Sequence, residues 1–90
     1  MTKPDLGRPR PIDVLTSVAY EYRVRVEEIT GHGPGARKNW ISKARQRAML
    51  RLSEECKLGP AAIGRLLDRD HSSVCYGIQV ARKLREEFTL

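Results

Sequence analysis

The chain has 90 residues, which suits one small domain with a thin core. Hydrophobic residues make up 40% and charged residues 31%, a balance that excludes a disordered chain. No apolar run approaches the roughly 18 residues of a membrane span, and the N-terminus lacks the apolar stretch of a signal peptide. We therefore expect a cytoplasmic protein that does not interact with membranes.

The formal net charge of +6 is concentrated in one segment and favours a polyanionic partner. No acidic residue lies between Glu28 and Glu54, and this interval holds six basic residues, Arg37, Lys38, Lys43, Arg45, Arg47 and Arg51. A surface that only confers solubility usually mixes both signs, and it remains the alternative. A segment of one sign inside a folded domain favours contact with phosphates.

The first half of the chain predicts a basic arm, two helices and a loop. Residues 1–10 contain two prolines, a glycine and three basic residues, which predicts a flexible arm before a domain over 11–90. Pro11 can open a helix whose apolar residues recur at helical spacing, and a short helical turn is predicted around Val26–Ile29. The glycines from Gly31 to Gly35 predict a loop. Because the pattern GxxxxGK[ST] is absent, we expect neither a nucleotide nor another cofactor.

The second half predicts three more helices. Helix three should begin near Trp40–Ser42 and end at about Lys57, where Gly59 would stop it. Lys43, Arg47 and Arg51 follow one another at four-residue steps along it, and we name this set the basic stripe. The fourth helix is predicted over Pro60–Leu67 and the fifth from His71, with Asp70 as its N-cap. Five helices without a strand predict an all-α fold.

The last two helices and the short turn between them form a helix-turn-helix candidate. The apolar stripe of the fifth helix starts at Val74, so His71, Ser72 and Ser73 should be exposed. A recognition helix directs such residues to base edges in the major groove. The simpler alternatives are that Asp70 is only an N-cap and that Trp40, Tyr20, Tyr22 and Tyr76 are structural, although Tyr76 is also placed to approach a phosphate.

No residue pattern indicates catalysis or a metal centre. Cys56 and Cys75 are not closely spaced, and His32 and His71 do not complete a zinc site. Two reduced thiols are expected, with a disulfide between them as the alternative. No nucleophile and base at recognisable spacing accompany His71, so we expect no enzyme.

Three sequence runs resemble the C-terminal DNA-binding domain of DnaA, the bacterial replication initiator. Arg69-Asp70-His71-Ser72-Ser73-Val74 is similar to the Arg-Asp-His-Ser/Thr-Thr-Val signature of that family's recognition helix. Ala44-Arg45-Gln46-Arg47-Ala48-Met49 and Ile63-Gly64 resemble its basic helix and its scaffold helix. The resemblance covers roughly residues 12–84 and implies a small five-helix domain of the same fold.

The resemblance also implies roles for individual residues. Base reading falls to Asp70, His71 and Ser72, with Ser73 as a further DNA contact and Arg69 beside them. Arg45 and Gln46 match positions near the DNA backbone. Arg37, Lys38 and Asn39 lie where the family's basic loop sends an arginine into the minor groove, and Asn39 occupies the best-aligned position. The turn before Arg69 is one residue shorter than is usual in the family.

These patterns predict a sequence-specific binder of double-stranded DNA, located in the cytoplasm at the bacterial nucleoid. Because the sequence does not include the ATPase domain of DnaA, we expect no nucleotide-driven assembly and favour a transcriptional regulator of phage or gene-transfer-agent type. The alternatives are an accessory protein that binds replication origins and an adaptor whose basic face binds an acidic protein. Transcription or replication machinery would be a further partner. An RNA binder is disfavoured because only 6% of residues are aromatic.

Overall fold

The part of the chain that the structure describes folds into five helices, as the sequence predicts. The computed structural model describes residues 9–31 and 38–87, so most of the predicted arm, Arg37, most of the glycine loop and Phe88 lie outside the described residues. The helices are α1 Pro11–Tyr22, α2 Val26–Thr30, α3 Asn39–Glu55, α4 Pro60–Leu67 and α5 His71–Glu87. The described ranges contain no strand, and the predicted all-α fold is confirmed.

Prolines begin two of these helices, because Pro11 and Pro60 occupy first-turn positions where no N–H donor is needed. The predicted end of α3, at about Lys57, lies two residues beyond the observed end. The helix ends at Glu55, since Lys57 adopts a left-handed backbone with φ 59° and the Leu58 N–H donates to the Leu52 carbonyl over 3.3 Å. Gly59 is instead the N-cap of α4.

Helix α3 is the centre of the fold, since it packs against each of the other four helices. The largest fully buried side chains are Val14, Val18, Ile29, Ile41, Leu50, Leu52, Ile63, Leu67 and Val74. Each contributes about 1.5–3 kcal/mol relative to an exposed position. Helix α5 crosses α3 closely at Gly77, where a Cβ atom would collide with the buried side chain of Met49. This crossing fixes the position of α5 on the domain.

Both cysteines are free thiols, Cys56 buried and Cys75 half-buried, and the Cys56 Sγ lies 3.2 Å from the Pro9 carbonyl oxygen. Within the described ranges, no helix has both the length and the apolar character needed to cross a membrane.

Candidate nucleic-acid interface

Helices α4 and α5 form a helix-turn-helix whose turn is set by two residues. Asp68 closes α4 in the left-handed region at φ 56°, and the Arg69 N–H then donates to the Gly64 carbonyl over 2.8 Å. A Cβ atom at Gly64 would lie 2.5 Å from the Arg69 carbonyl oxygen. The turn can therefore approach α4 this closely only because residue 64 is glycine.

Residues Asp70 to Ser73, which we name the recognition turn, begin α5 and are all exposed. The Ser73 N–H donates to the Asp70 Oδ1 over 2.9 Å, which makes Asp70 the N-cap that the sequence predicts. This hydrogen bond lowers the pKa of the exposed Asp70 carboxyl, so the group is ionised at neutral pH. Val74 is fully buried, so the helix is anchored immediately after the recognition turn.

Arg69 ties the turn to the end of α2. Its Nη2 donates to the Gly31 carbonyl over 2.8 Å, and its Nη1 donates to the carbonyls of Leu67 and Asp68 over 3.0 and 3.2 Å. Desolvation lowers the pKa of Arg69, and the neighbouring Asp68 carboxylate opposes that effect. The sequence analysis predicts that Arg69 contacts DNA, whereas in the structure its guanidinium donates hydrogen bonds to three backbone carbonyls.

Arg45 is buried, with only 8% of its surface exposed, and this disagrees with the prediction that it contacts DNA. Its Nε donates to the Ile29 carbonyl over 2.8 Å and its Nη2 to the Glu28 carbonyl over 3.4 Å. The cause is the packing of α2 on α3, because the last carbonyls of a helix have no partner within it. Burial, and then the charge of Arg69, lower the pKa of Arg45.

An open groove of about 220 Å³, the small groove, lies between α3 and the start of α5. Its polar lining residues are Ser42 and Gln46 on α3 and Ser73 and Tyr76 on α5, and the two cationic residues Arg45 and Arg69 also line it. Hydroxyl and amide donors backed by two positive charges suit a phosphate oxygen. The structure thus brings the predicted Gln46, Ser73 and Tyr76 together. Ser42 is not among the predicted DNA contacts, although it lies four residues before Gln46 on the same helix face.

The basic stripe is divided between two environments. Lys43 is exposed and Arg47 half-buried, whereas Arg51 pairs with Glu55, its Nε lying 2.8 Å from Oε2. Arg51 also donates from Nη1 to the Ser17 hydroxyl on α1 over 2.9 Å. The hydrogen bond between Arg51 and Glu55 raises the pKa of the guanidinium and lowers that of the carboxyl. Arg51 therefore joins α3 to α1 and is not available as a free cation beside Arg47.

The start of α3 is exposed and aromatic. Lys38 and Asn39 are both exposed, and the Lys38 Nζ lies 5.3 Å from the centre of the Trp40 ring. Trp40 is 51% exposed, Tyr76 66% and Tyr20 87%, so these three rings are not buried in the core, whereas the half-buried Tyr22 packs against it. Arg37, the third residue that the resemblance places near the minor groove, lies outside the described residues.

Comparison with known proteins agrees with this geometry. Residues 11–80 match the family described as the bacterial DnaA protein helix-turn-helix. The chain is similar to the chromosomal replication initiator protein DnaA of Thermus thermophilus, with 35% identity over 88 residues that cover 91% of this chain and 20% of the relative. It is also similar to the DnaA protein of Neisseria meningitidis, with 35% identity over 75 residues that cover 82% of this chain and 14% of the relative. The chain thus spans a fifth or less of the length of these relatives.

Proposed function

Because the chain belongs to the bacterial DnaA helix-turn-helix family and is a DNA-binding module of that kind, we propose that it recognises a short, specific sequence in duplex DNA at a replication origin. The observation that carries the proposal is the recognition turn. Four exposed polar residues stand at the start of a helix that is anchored by the buried Val74 and by its close crossing with α3. A rigid, exposed helix start is what entry into the major groove requires.

The recognition turn supplies chemistry for reading base edges. The Asp70 carboxylate accepts one hydrogen bond from the Ser73 N–H and has further acceptor sites. It can therefore also accept a hydrogen bond from a cytosine amino group. His71 and Ser72 follow directly and can meet the edges of neighbouring bases, while Ser73 lies at the border with the small groove. Capping and base recognition are compatible in the same carboxylate.

The small groove supplies affinity that does not depend on sequence. We assign Gln46, Ser42 and Tyr76 to a phosphate of the strand that flanks the major groove, because these three polar residues line the small groove together. Arg45 and Arg69 act from behind the groove as fixed positive charge, without a direct phosphate contact. Lys38, Lys43 and Arg47 lie outside the small groove and would attract the DNA backbone at longer range, while Arg37, Lys38 and Asn39 keep their predicted place beside the minor groove.

Replication-origin binding is preferred to transcriptional regulation because the relatives described above are chromosomal replication initiators. We propose that this chain acts through binding alone, without catalysis or a cofactor. Mapping the chromosomal sites that the protein occupies in cells distinguishes the two roles. Occupancy clustered at the origin supports the proposal, and occupancy confined to promoters contradicts it.

The DNA-reading mechanism is tested by selecting a preferred site from random duplexes and then comparing that site with a scrambled duplex at one salt concentration. A good base contact is worth about 1–3 kcal/mol of discrimination, so His71→Ala and Asp70→Asn should each reduce the affinity ratio about 5- to 150-fold. Asparagine keeps a capping oxygen, which makes it a cleaner change than alanine. As the matched control, Gln46→Ala should weaken binding to both duplexes equally. Equal loss on both duplexes for His71→Ala would mean that the recognition turn does not read bases.

A further inference from the structure

A second and larger groove, of about 430 Å³, lies between the end of α1, α3 and the second half of α5. Tyr22, Ala81 and Leu84 form its apolar part, and Lys43 and Arg47 line it from α3. The helical repeat of 3.6 residues puts Lys43 and Arg47 on a different side of α3 from Ser42 and Met49, which line the small groove. The large groove therefore faces a different direction from the small groove, although Gln46 borders both.

The charge on this groove is unbalanced toward positive. Within residues 9–31 and 38–87, neither Lys43 nor Arg47 forms an ion pair, whereas Arg51 is paired with Glu55 and Arg85, a further lining residue, is paired with Glu54. The single acidic residue in the lining is Glu21. Burial and Glu21 raise the pKa of the Tyr22 hydroxyl while Arg47 lowers it, so these three groups are within electrostatic reach of one another. The cationic groups of Lys43 and Arg47 thus lie beside the apolar part of the groove.

An exposed aromatic ring continues the same side of α3. Trp40 lies three residues before Lys43 and seven before Arg47, a spacing that aligns residues along one face of a helix. Its ring is half exposed and already holds the Lys38 ammonium. Tryptophan and arginine are enriched at protein–protein interfaces, where a few large side chains carry most of the affinity.

We propose that the large groove binds an acidic, amphipathic segment of a partner protein. One apolar side chain of the segment packs against Tyr22 and Leu84, and its flanking carboxylates pair with Lys43 and Arg47. A protein segment suits the site better than a DNA backbone, because phosphates would leave the apolar part of the groove uncovered. The recognition turn lies outside this groove, so the partner and duplex DNA bind at the same time.

The experiment pans a displayed library of random 12-residue peptides against the whole chain saturated with duplex DNA. We expect the enriched peptides to share acidic residues around an aliphatic or aromatic residue. A synthetic peptide of the enriched consensus should lose about tenfold or more in affinity on Arg47→Glu, because a like charge then faces its carboxylates. Leu84→Ser should weaken the same peptide, and circular dichroism establishes that each variant is folded.

Two controls make the result decisive. Arg65→Glu carries the same change of charge at an exposed position on α4, outside the groove lining, and should leave peptide affinity within about twofold. A peptide whose acidic residues are replaced by lysine should bind Arg47→Glu better than it binds the original chain. The proposal is overturned by an enriched set without acidic bias, by equal loss on Arg65→Glu, or by displacement of the peptide when duplex DNA is added. None of these outcomes bears on the reading of bases by His71.

Discussion

Replacing Arg45 should cost stability and leave the phosphate contacts of the domain unchanged. The buried Nε donates to the Ile29 carbonyl over 2.8 Å, and the Glu28 carbonyl is a weaker acceptor at 3.4 Å. A hydrogen bond from a charged donor contributes about 1.5–3 kcal/mol, and its loss leaves a carbonyl without its partner. Arg45→Met keeps the apolar stem, so we expect a loss of about 2–3 kcal/mol. In a domain of this size that lowers Tm by roughly 8–24 °C.

The assay combines urea unfolding with duplex binding over a series of salt concentrations. Each lost phosphate contact lowers the slope of log K against log salt by about 1. Arg45→Met should therefore unfold at lower urea and keep the slope of the original chain. Gln46→Ala, the adjacent position, should show the converse, with stability changed by no more than about 0.5 kcal/mol and a smaller slope.

One result would refute this reasoning about Arg45. If Arg45→Met kept its Tm and lost about one unit of salt slope, the guanidinium would have to leave α2 and reach a phosphate in the complex. The burial of Arg45 would then describe only the DNA-free protein, and the contact implied by the family resemblance would be correct.

Two further predictions concern the helix-turn-helix itself. Gly64→Ala should destabilise the domain by about 1–3 kcal/mol, despite the better helix propensity of alanine, because its Cβ would press on the Arg69 carbonyl; a thermal melt at or above that of the original chain would contradict this. The folded-state pKa of Asp70 is lowered by the Ser73 N–H, so the stability contributed by the ionised cap is complete above about pH 4 and is lost as the pH falls through the lowered pKa. The free energy of unfolding, measured from pH 6 to pH 2, should accordingly fall less steeply for Asp70→Asn than for the original chain. Parallel curves for the two proteins would show that the Asp70 cap does not contribute to the pH dependence of stability.

Helix positions could be predicted where the cause is local. Pro11, Pro60 and Asp70 act within their own first turns, and each marks a helix start in the structure. The predicted end of α3 differs from the observed end because the contact that terminates the helix is not local. Lys57 takes a left-handed conformation that favours glycine, while the next residue, Leu58, packs against the core. The packing of Leu58 offsets the conformational cost at Lys57, and it involves core residues that are distant in the sequence.

In the candidate site, too, the features with a local cause are predictable from the sequence and the features with a distant cause are not. The exposure of His71 follows from the apolar stripe of its own helix, so the sequence predicts it. Ile29, which accepts from Arg45, and Gly31, which accepts from Arg69, lie 16 and 38 residues away in the chain, and no local pattern indicates these two contacts. Arg51 is different, since Glu55 stands four residues later and the ion pair could have been predicted from that spacing.

Those two arginines give the short helix α2 a role in recognition. Arg45 holds the end of α2 to α3 through Ile29, and Arg69 holds the turn before α5 to the same end through Gly31. The start of α5 and the middle of α3 are thereby fixed to one point, although the two helices belong to different parts of the chain. In the proposed complex the small groove and the recognition turn meet one DNA strand and its neighbouring base edges together, so a relative shift of about one ångström would separate the two proposed functions. The sequence places both arginines in the DNA-binding set, and in the structure they hold the residues of that set in register.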